Sequence, residues 1–312
     1  MGGVHYSGMV YSMGVPVVGG MLTGGNSYFL DPANGNDSNK GTSIDEAVKT
    51  MTKAYSLLTA NQNDILYIVG GASGVSLSAT FAWAKDNTHM IGISGGAWYG
   101  QRSRIGHSAD FTPVITFSAK DCLIRNINFL TGRGSADNLI GVLVSGSRNV
   151  FDNCSFSPML HQTEADTAGS IGLSITSAQN HFKDCFFGND TIDRGAANCL
   201  VKMTGASKAL FDRCIFLQRV DAATPVIVDA TGLLGFVNIF RDCQFISSSV
   251  NFSTTADSAF KGASASSTRI LLVNPVLLGF TDVQSADTGA IFVNPATATA
   301  DDIGTSVAVL KH

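Results

Sequence analysis

Apolar and polar positions alternate along this chain in short bursts that restart about every 30 residues. Residues 114–117, 141–144, 171–175, 199–203 and 226–228 each show a period of two, and each leads into a brief polar turn such as 145–148 (SGSR) or 177–180 (SAQN). A second apolar segment follows the turn, and a polar loop returns to the next burst. Period-two alternation over four or five residues marks a strand with one buried face. Strands so short cannot bury that face alone, so successive units must stack on one another.

The second segment carries a repeat that aligns without gaps: 151–156 (FDNCSF), 182–187 (FKDCFF), 211–216 (FDRCIF) and 240–245 (FRDCQF). Weaker copies flank it, Ala119-x-x-Cys122-x-Ile124 upstream and Leu271-x-x-Asn274-x-Val276 downstream, with Met90 as an earlier one. The anchors Met90, Cys122, Cys154, Cys185, Cys214, Cys243 and Asn274 lie 29 to 32 residues apart. Leucine-rich repeats need a Leu-x-x-Leu-x-Leu frame that is absent here, and a propeller blade needs about 40–50 residues. The pattern predicts an all-β fold, a right-handed single-stranded parallel β-helix of about seven or eight coils, some 35–40 Å long at about 4.8 Å per coil. Phe and Cys then stack on like residues in neighbouring coils. The six cysteines are expected as buried free thiols, because parallel Cβ vectors and a reducing compartment oppose bridging. No Cys-x-x-Cys pair points to zinc.

Ahead of the repeats, Ser43 and Glu46 have capping-box spacing, and Ile44, Val48, Met51, Tyr55 and Leu58 recur at helical intervals. A helix there would close the first coil. The expected organisation is an extended N-terminal arm over 1–27, a capping loop and helix over 28–62, the β-helix over 63–295, and a C-terminal tail or cap over 296–312.

Composition sharpens this picture. Charged residues are 14% of the 312, against about 25% in an ordinary globular chain. Glu occurs only at 46 and 164, while Gly numbers 33, which suits turns and strands rather than surface helices. A net charge of −4 with scattered Lys and Arg argues against a nucleic-acid partner. No apolar run approaches the length of about 20 that spans a bilayer, so no membrane association is expected. The N-terminus lacks a basic start and a continuous apolar core, so assembly in the cytoplasm is expected.

The segment FLDPANGNDSNKGTS, the following AVKTMTKA and then NDILYIVGG resemble the opening module of pectate-lyase-like right-handed β-helix proteins. In that pattern Asn63 stands where a Gly is usual. The leader HYSGMVYSMGVPVVGG resembles that of β-helix virion proteins of tailed bacteriophages, of the head-decoration or tailspike-like kind. This second resemblance implies a capsid decoration or stabilising protein in the virion, assembled in the host cytoplasm, with a homotrimeric rod. Its partner would be the major capsid protein or another virion protein. The arm residues Val4, Tyr6, Met9, Tyr11, Met13, Val15 and Val17 are too apolar for a free tail and suit docking on a partner's sheet edge, the alternative being a strand packed on its own domain.

The fold also hosts enzymes, and the return loops carry the candidate chemistry. Glu164, Asp166, Asp193, Arg194 and Asp221 fall in successive repeats and could line one side of the rod, cleaving or binding a surface glycan. Glycoside hydrolysis needs two carboxylates about 5–5.5 or 6.5–9.5 Å apart. No pair recurs at fixed spacing, and solvated loop charges remain the simpler reading. Asp121, Asn153, Asp184, Arg213 and Asp242 precede the anchors; Arg213 breaks a carboxylate ladder and favours turn chemistry. Asp31, Asn34, Asn36, Asp37 and Asn39 lack the order of a calcium loop. Neither cofactor nor metal is expected.

Overall fold

The computed structural model describes residues 11–12, 15–18, 21–22, 25–95, 99–137, 139–232, 234–249, 254–262, 269–285 and 290–294. Three parallel sheets run along a rod, and the chain visits them in fixed rotation. Sheet 1 has eight strands, from Phe81–Trp83 to Phe280–Gln284. Sheet 2 has ten, from Ser27–Leu30 to Ala290–Asn294, and sheet 3 has eight, from Val75–Leu77 to Val276–Leu278. The expected right-handed parallel β-helix is the fold.

The Phe-x-x-Cys-x-Phe unit, read from sequence as one strand, is bent around a corner. Val150–Asp152 lies in sheet 2 and Ser155–Ser157 in sheet 3. The bend comes from Asn153, whose φ is 50°, and recurs at Asp184 (51°), Arg213 (51°), Asp242 (53°) and Asn274 (49°). Asn and Asp tolerate this left-handed conformation better than other side chains with a Cβ.

The outlying copies are shifted from their expected register. Ile124 pairs with Phe151, so the true upstream copy is Ile124-x-x-Ile127-x-Phe129, and Cys122 stands level with Asn149. Met90 pairs with Ile124 and so takes the place of a Phe. Leu272 pairs with Phe240, which puts Asn274 level with Asp242 and Pro275 in the cysteine position. Asp121 belongs to a different left-handed corner, between sheets 1 and 2, with Arg148 and Gln179. The Cys at 122 was a coincidence of spacing.

Two phenylalanine stacks fill the core. Phe151, Phe182, Phe211 and Phe240 stack at 4.9, 4.7 and 4.4 Å between centroids. Phe129, Phe156, Phe187, Phe216 and Phe245 form the second stack, at 5.1, 4.8, 4.7 and 4.9 Å. All six cysteines are buried and free. At the corner each thiol donates to the coil beneath: Cys185 Sγ to Phe151 O at 3.3 Å and Cys214 Sγ to Phe182 O at 3.3 Å. At the sheet 1–sheet 2 corner, Asn149 and Asn180 form a buried ladder, with Asn149 N donating to Asn180 Oδ1 at 3.0 Å.

The helix begins later than expected, at Met51–Leu57 with Thr50 as its N-cap. Tertiary pairing overrides the helical period over 44–50. Asp37 Oδ1 accepts from Lys49 N (2.8 Å) and Thr50 N (2.9 Å), and Val48 bridges to Leu30. Ser43 and Glu46 form an exposed turn. The strand before this helix, Ser27–Leu30, already pairs with Ile65–Val69 as the first of sheet 2. Asp31 caps its own turn, accepting from Ala33 N and Asn34 N at 2.9 and 3.0 Å, so this loop does turn chemistry.

In the arm, Tyr11–Ser12, Val15–Val18 and Met21–Leu22 form an antiparallel sheet that shares no strand with the other three. Val4, Tyr6, Met9 and Met13 lie outside the described residues, as does 296–312.

Candidate functional site

The return loops from sheet 3 to sheet 1 carry the residues best suited to chemistry. Glu164 sits in the single helical turn Gln162–Ala165 with its carboxylate turned into the wall. Its Oε1 accepts three backbone N–H groups of the previous coil's loop, Arg133 (2.6 Å), Gly134 (2.8 Å) and Ser135 (3.2 Å). Gly134 suits this site through its φ of +98°, which side chains with a Cβ rarely adopt, and a Cβ there would press on the His161 ring at 3.1 Å. His161 caps the turn, its Nδ1 accepting from Thr163 N at 3.2 Å.

Arg194 is also consumed by the wall. It is 1% exposed, and burial lowers its pKa to about 10. Its guanidinium donates to Asn198 Oδ1 at 2.7 Å, to Gln218 Oε1, and to Val226 O at 3.0 Å. These acceptors belong to two coils, so Arg194 ties one return loop to the next. Gln218 extends the chain to Ser247 Oγ at 3.1 Å.

Three of the five candidates gather at the surface around Gly195. Asp193 pairs with Arg219, Oδ1 to Nε 2.8 Å. A Cβ built on Gly195 would meet Asp166 Oδ1 at 2.6 Å and Asp221 Oδ1 at 2.9 Å, so one oxygen of each carboxylate flanks this glycine. Both carboxylates are exposed. The pair can accept hydrogen bonds from sugar hydroxyls. Among the described residues, no group of three or more His, Cys, Asp or Glu is placed to hold a metal ion.

Two features of the outer surface were not anticipated from sequence. On sheet 2, Arg125, Asp152, Lys183, Asp212 and Arg241 pair in register as a ladder of alternating charge. Arg125 Nε donates to Asp152 Oδ2 at 2.9 Å, and Arg241 Nε to Asp212 Oδ1 at 2.7 Å. Over sheet 3, the loop at 99–101 straddles later coils. Tyr99 lies 4.4 Å from the Phe186 ring, and Gln101 Nε2 reaches Asn153 O at 2.7 Å. The ladder was readable, since its members follow the phenylalanine in each repeat. The loop was not, since nothing local marks where it lands.

No family model and no curated protein matches this chain. Solved structures do share the fold. A pectin methylesterase from Aspergillus niger aligns over 91% of this chain and 90% of its own, with 15% identity and a TM-score of 0.57. One from Erwinia chrysanthemi covers 82% and 80%, at 13% identity and a TM-score of 0.55. A pectate lyase covers 90% and 83%, at 12% identity and a TM-score of 0.51. At this identity the likeness establishes the pectate-lyase-like β-helix fold.

Proposed function

We propose that this pectate-lyase-like β-helix is a structural protein of a tailed-bacteriophage particle, a homotrimeric decoration or stabilising protein projecting from the head. One observation carries the structural half of that reading. Glu164 and Arg194, the side chains most suited to acid–base work, are built into the wall as fasteners between coils. The virion setting rests on the leader at 5–20 and on an arm whose strands pair only among themselves in the described residues. An arm of that kind suits docking on the major capsid protein or another virion protein.

The test is co-sedimentation with purified heads. The full chain is expected to pellet with heads, and a chain lacking 1–22 is expected to stay in the supernatant while keeping its β-sheet circular dichroism. Absence of the protein from purified particles overturns the virion reading.

A second reading, contact with a surface polysaccharide, is favoured by the Asp166–Asp221 pair beside Gly195. The solved structures sharing the fold include pectin methylesterases and a pectate lyase. Cleavage of host polysaccharide, lost in Asp221→Asn, would replace the structural reading with an enzymatic one. Retention without cleavage would make the rod a glycan-binding module.

A further inference from the structure

Sheet 3 opens with a hollow on its outer face. Ala72, Gly74, Ser76, Arg104, Gly106 and Leu130 line it, and it holds about 250 Å³. That is room for about eight waters at about 30 Å³ each, or for one small organic molecule.

Two glycines shape it. Strand pairing sets Ser76 level with Gly106 and brings Leu130 beside it from the next coil. The outward row therefore lacks a side chain between Ser76 and Leu130. Gly106 has no left-handed φ, and a Cβ there would meet Leu130 O at 3.3 Å and Leu130 Cβ at 3.8 Å, with nothing nearer. The backbone does not demand glycine at this position, and the effect of having one is the hollow. Gly74 gives room to a neighbour, since a Cβ on it would press on Arg104 Cβ and O, both at 3.0 Å.

Arg104 supplies the charge. Its Nη2 donates to Gly71 O (2.9 Å) and Ala72 O (2.5 Å), which fixes the guanidinium against the preceding coil. Among the described residues, Nε is buried with no acceptor and Nη1 has none either. Six other arginines pair with an aspartate, whereas no carboxylate of the described residues comes within 4.0 Å of Arg104. His107, also on the wall, is committed to the fold. Its Nε2 accepts from Gly132 N at 3.1 Å, and its Nδ1 lies 2.8 Å from Ala109 O. Arg104 is thus the one formal charge among the lining residues.

We propose that this hollow binds a small organic monocarboxylate. Arg104 Nη1 meets the carboxylate, and the Ser76 hydroxyl stands on the same face to donate a second bond. A short apolar body fills the space over Gly106, against Leu130. One fixed cation matches one negative charge, and hydrogen bonds between ionised groups are the strong ones. A phosphate dianion draws on several donors or a helix N-terminus, which one guanidinium and one hydroxyl do not supply. The acid arrives either free or as the acidic sugar of a polysaccharide, and the second source would join this hollow to the polysaccharide reading above. Failure to bind heads leaves the inference standing.

The experiment is a saturation-transfer NMR titration of the full chain with butyrate, 1-butanol and glucuronate, with circular dichroism to confirm that variants fold. Butyrate is expected to bind on the order of tenfold tighter than butanol, and Arg104→Gln to abolish that difference. Gly106→Leu fills the hollow while leaving both Nη2 bonds in place, and is expected to abolish binding of either acid. If either variant fails to fold, Ser76→Leu decides, because this position is exposed and its side chain occupies the same space. Tighter binding of glucuronate assigns the acid to a sugar, and tighter binding of butyrate assigns it to a free acid. Binding of neither acid, equal binding of butyrate and butanol, or binding unchanged by filling the hollow overturns the inference.

Discussion

At the scale of single residues, stability is set by rungs that meet their own kind. Phe211 lies between Phe182 and Phe240 in one stack and also touches Phe187 and Phe216 in the other. Phe211→Ala is expected to cost about 3–5 kcal/mol, read from the urea midpoint. Asp212 is a second focus, with its side chain 4% exposed between Arg241 and Arg213. The Arg241 hydrogen bond, against some opposition from burial, holds its carboxyl below the ordinary carboxylate range. A lowered folded pKa contributes stability above the unfolded value of about 3.9 and loses it as pH falls through the folded one. The native chain should therefore weaken more steeply than Asp212→Asn below about pH 4 and be the more stable of the two at pH 7, as urea midpoints across that range would show.

At the scale of elements, the first coil depends on its cap. Lys85 Nζ donates to Tyr55 O (2.7 Å) and Leu58 O (2.6 Å) where helix Met51–Leu57 ends, sharing the Tyr55 carbonyl with Leu58 N. Ala84 N donates to Tyr55 Oη at 2.8 Å. Lys85→Ala is expected to cost about 1–3 kcal/mol and to speed amide exchange first in Ser27–Leu30 and Ile65–Val69. The cap was foreseen from the helical period over 44–58, but its start was not. Asp37, Val48 and Leu30 are joined by contacts that no local pattern carries. The same limit explains the register errors. Where the Phe and Cys letters are both present the coils were placed correctly. Where Ile127 or Pro275 fills the cysteine position, the nearest polar or sulfur residue was mistaken for it. Candidate chemistry was legible only as residue type. Glu164 and Arg194 look catalytic in a sequence, and only the fold shows that they face inward.

At the scale of the whole molecule, coils meet only their neighbours everywhere except under the loop at 99–101, so the rod should tolerate a change in length if each face stays consistent. Deleting 182–210 removes one period and joins His181 to Phe211, keeping the strand grammar because His181 and Leu210 are level. The core would still match, with Phe151 under Phe211. The outer ladder would not. Its alternation depends on the order Arg125, Asp152, Lys183, Asp212, Arg241, and losing Lys183 sets Asp152 against Asp212. Opposed like charges in a sheet destabilise by a few tenths of a kcal/mol to about 1. Asp152→Asn should therefore change sign with context. In the full chain it removes the partner of Arg125 and Lys183 and lowers the urea midpoint. In the shortened chain it removes a repulsion and raises it. Both arms of each comparison share a background, so the loss of Arg194 and its loop ties with the deleted coil cancels. A fall in midpoint in both backgrounds would show that the ladder's alternation is incidental, and that the phenylalanine stacks alone determine how coils can be joined.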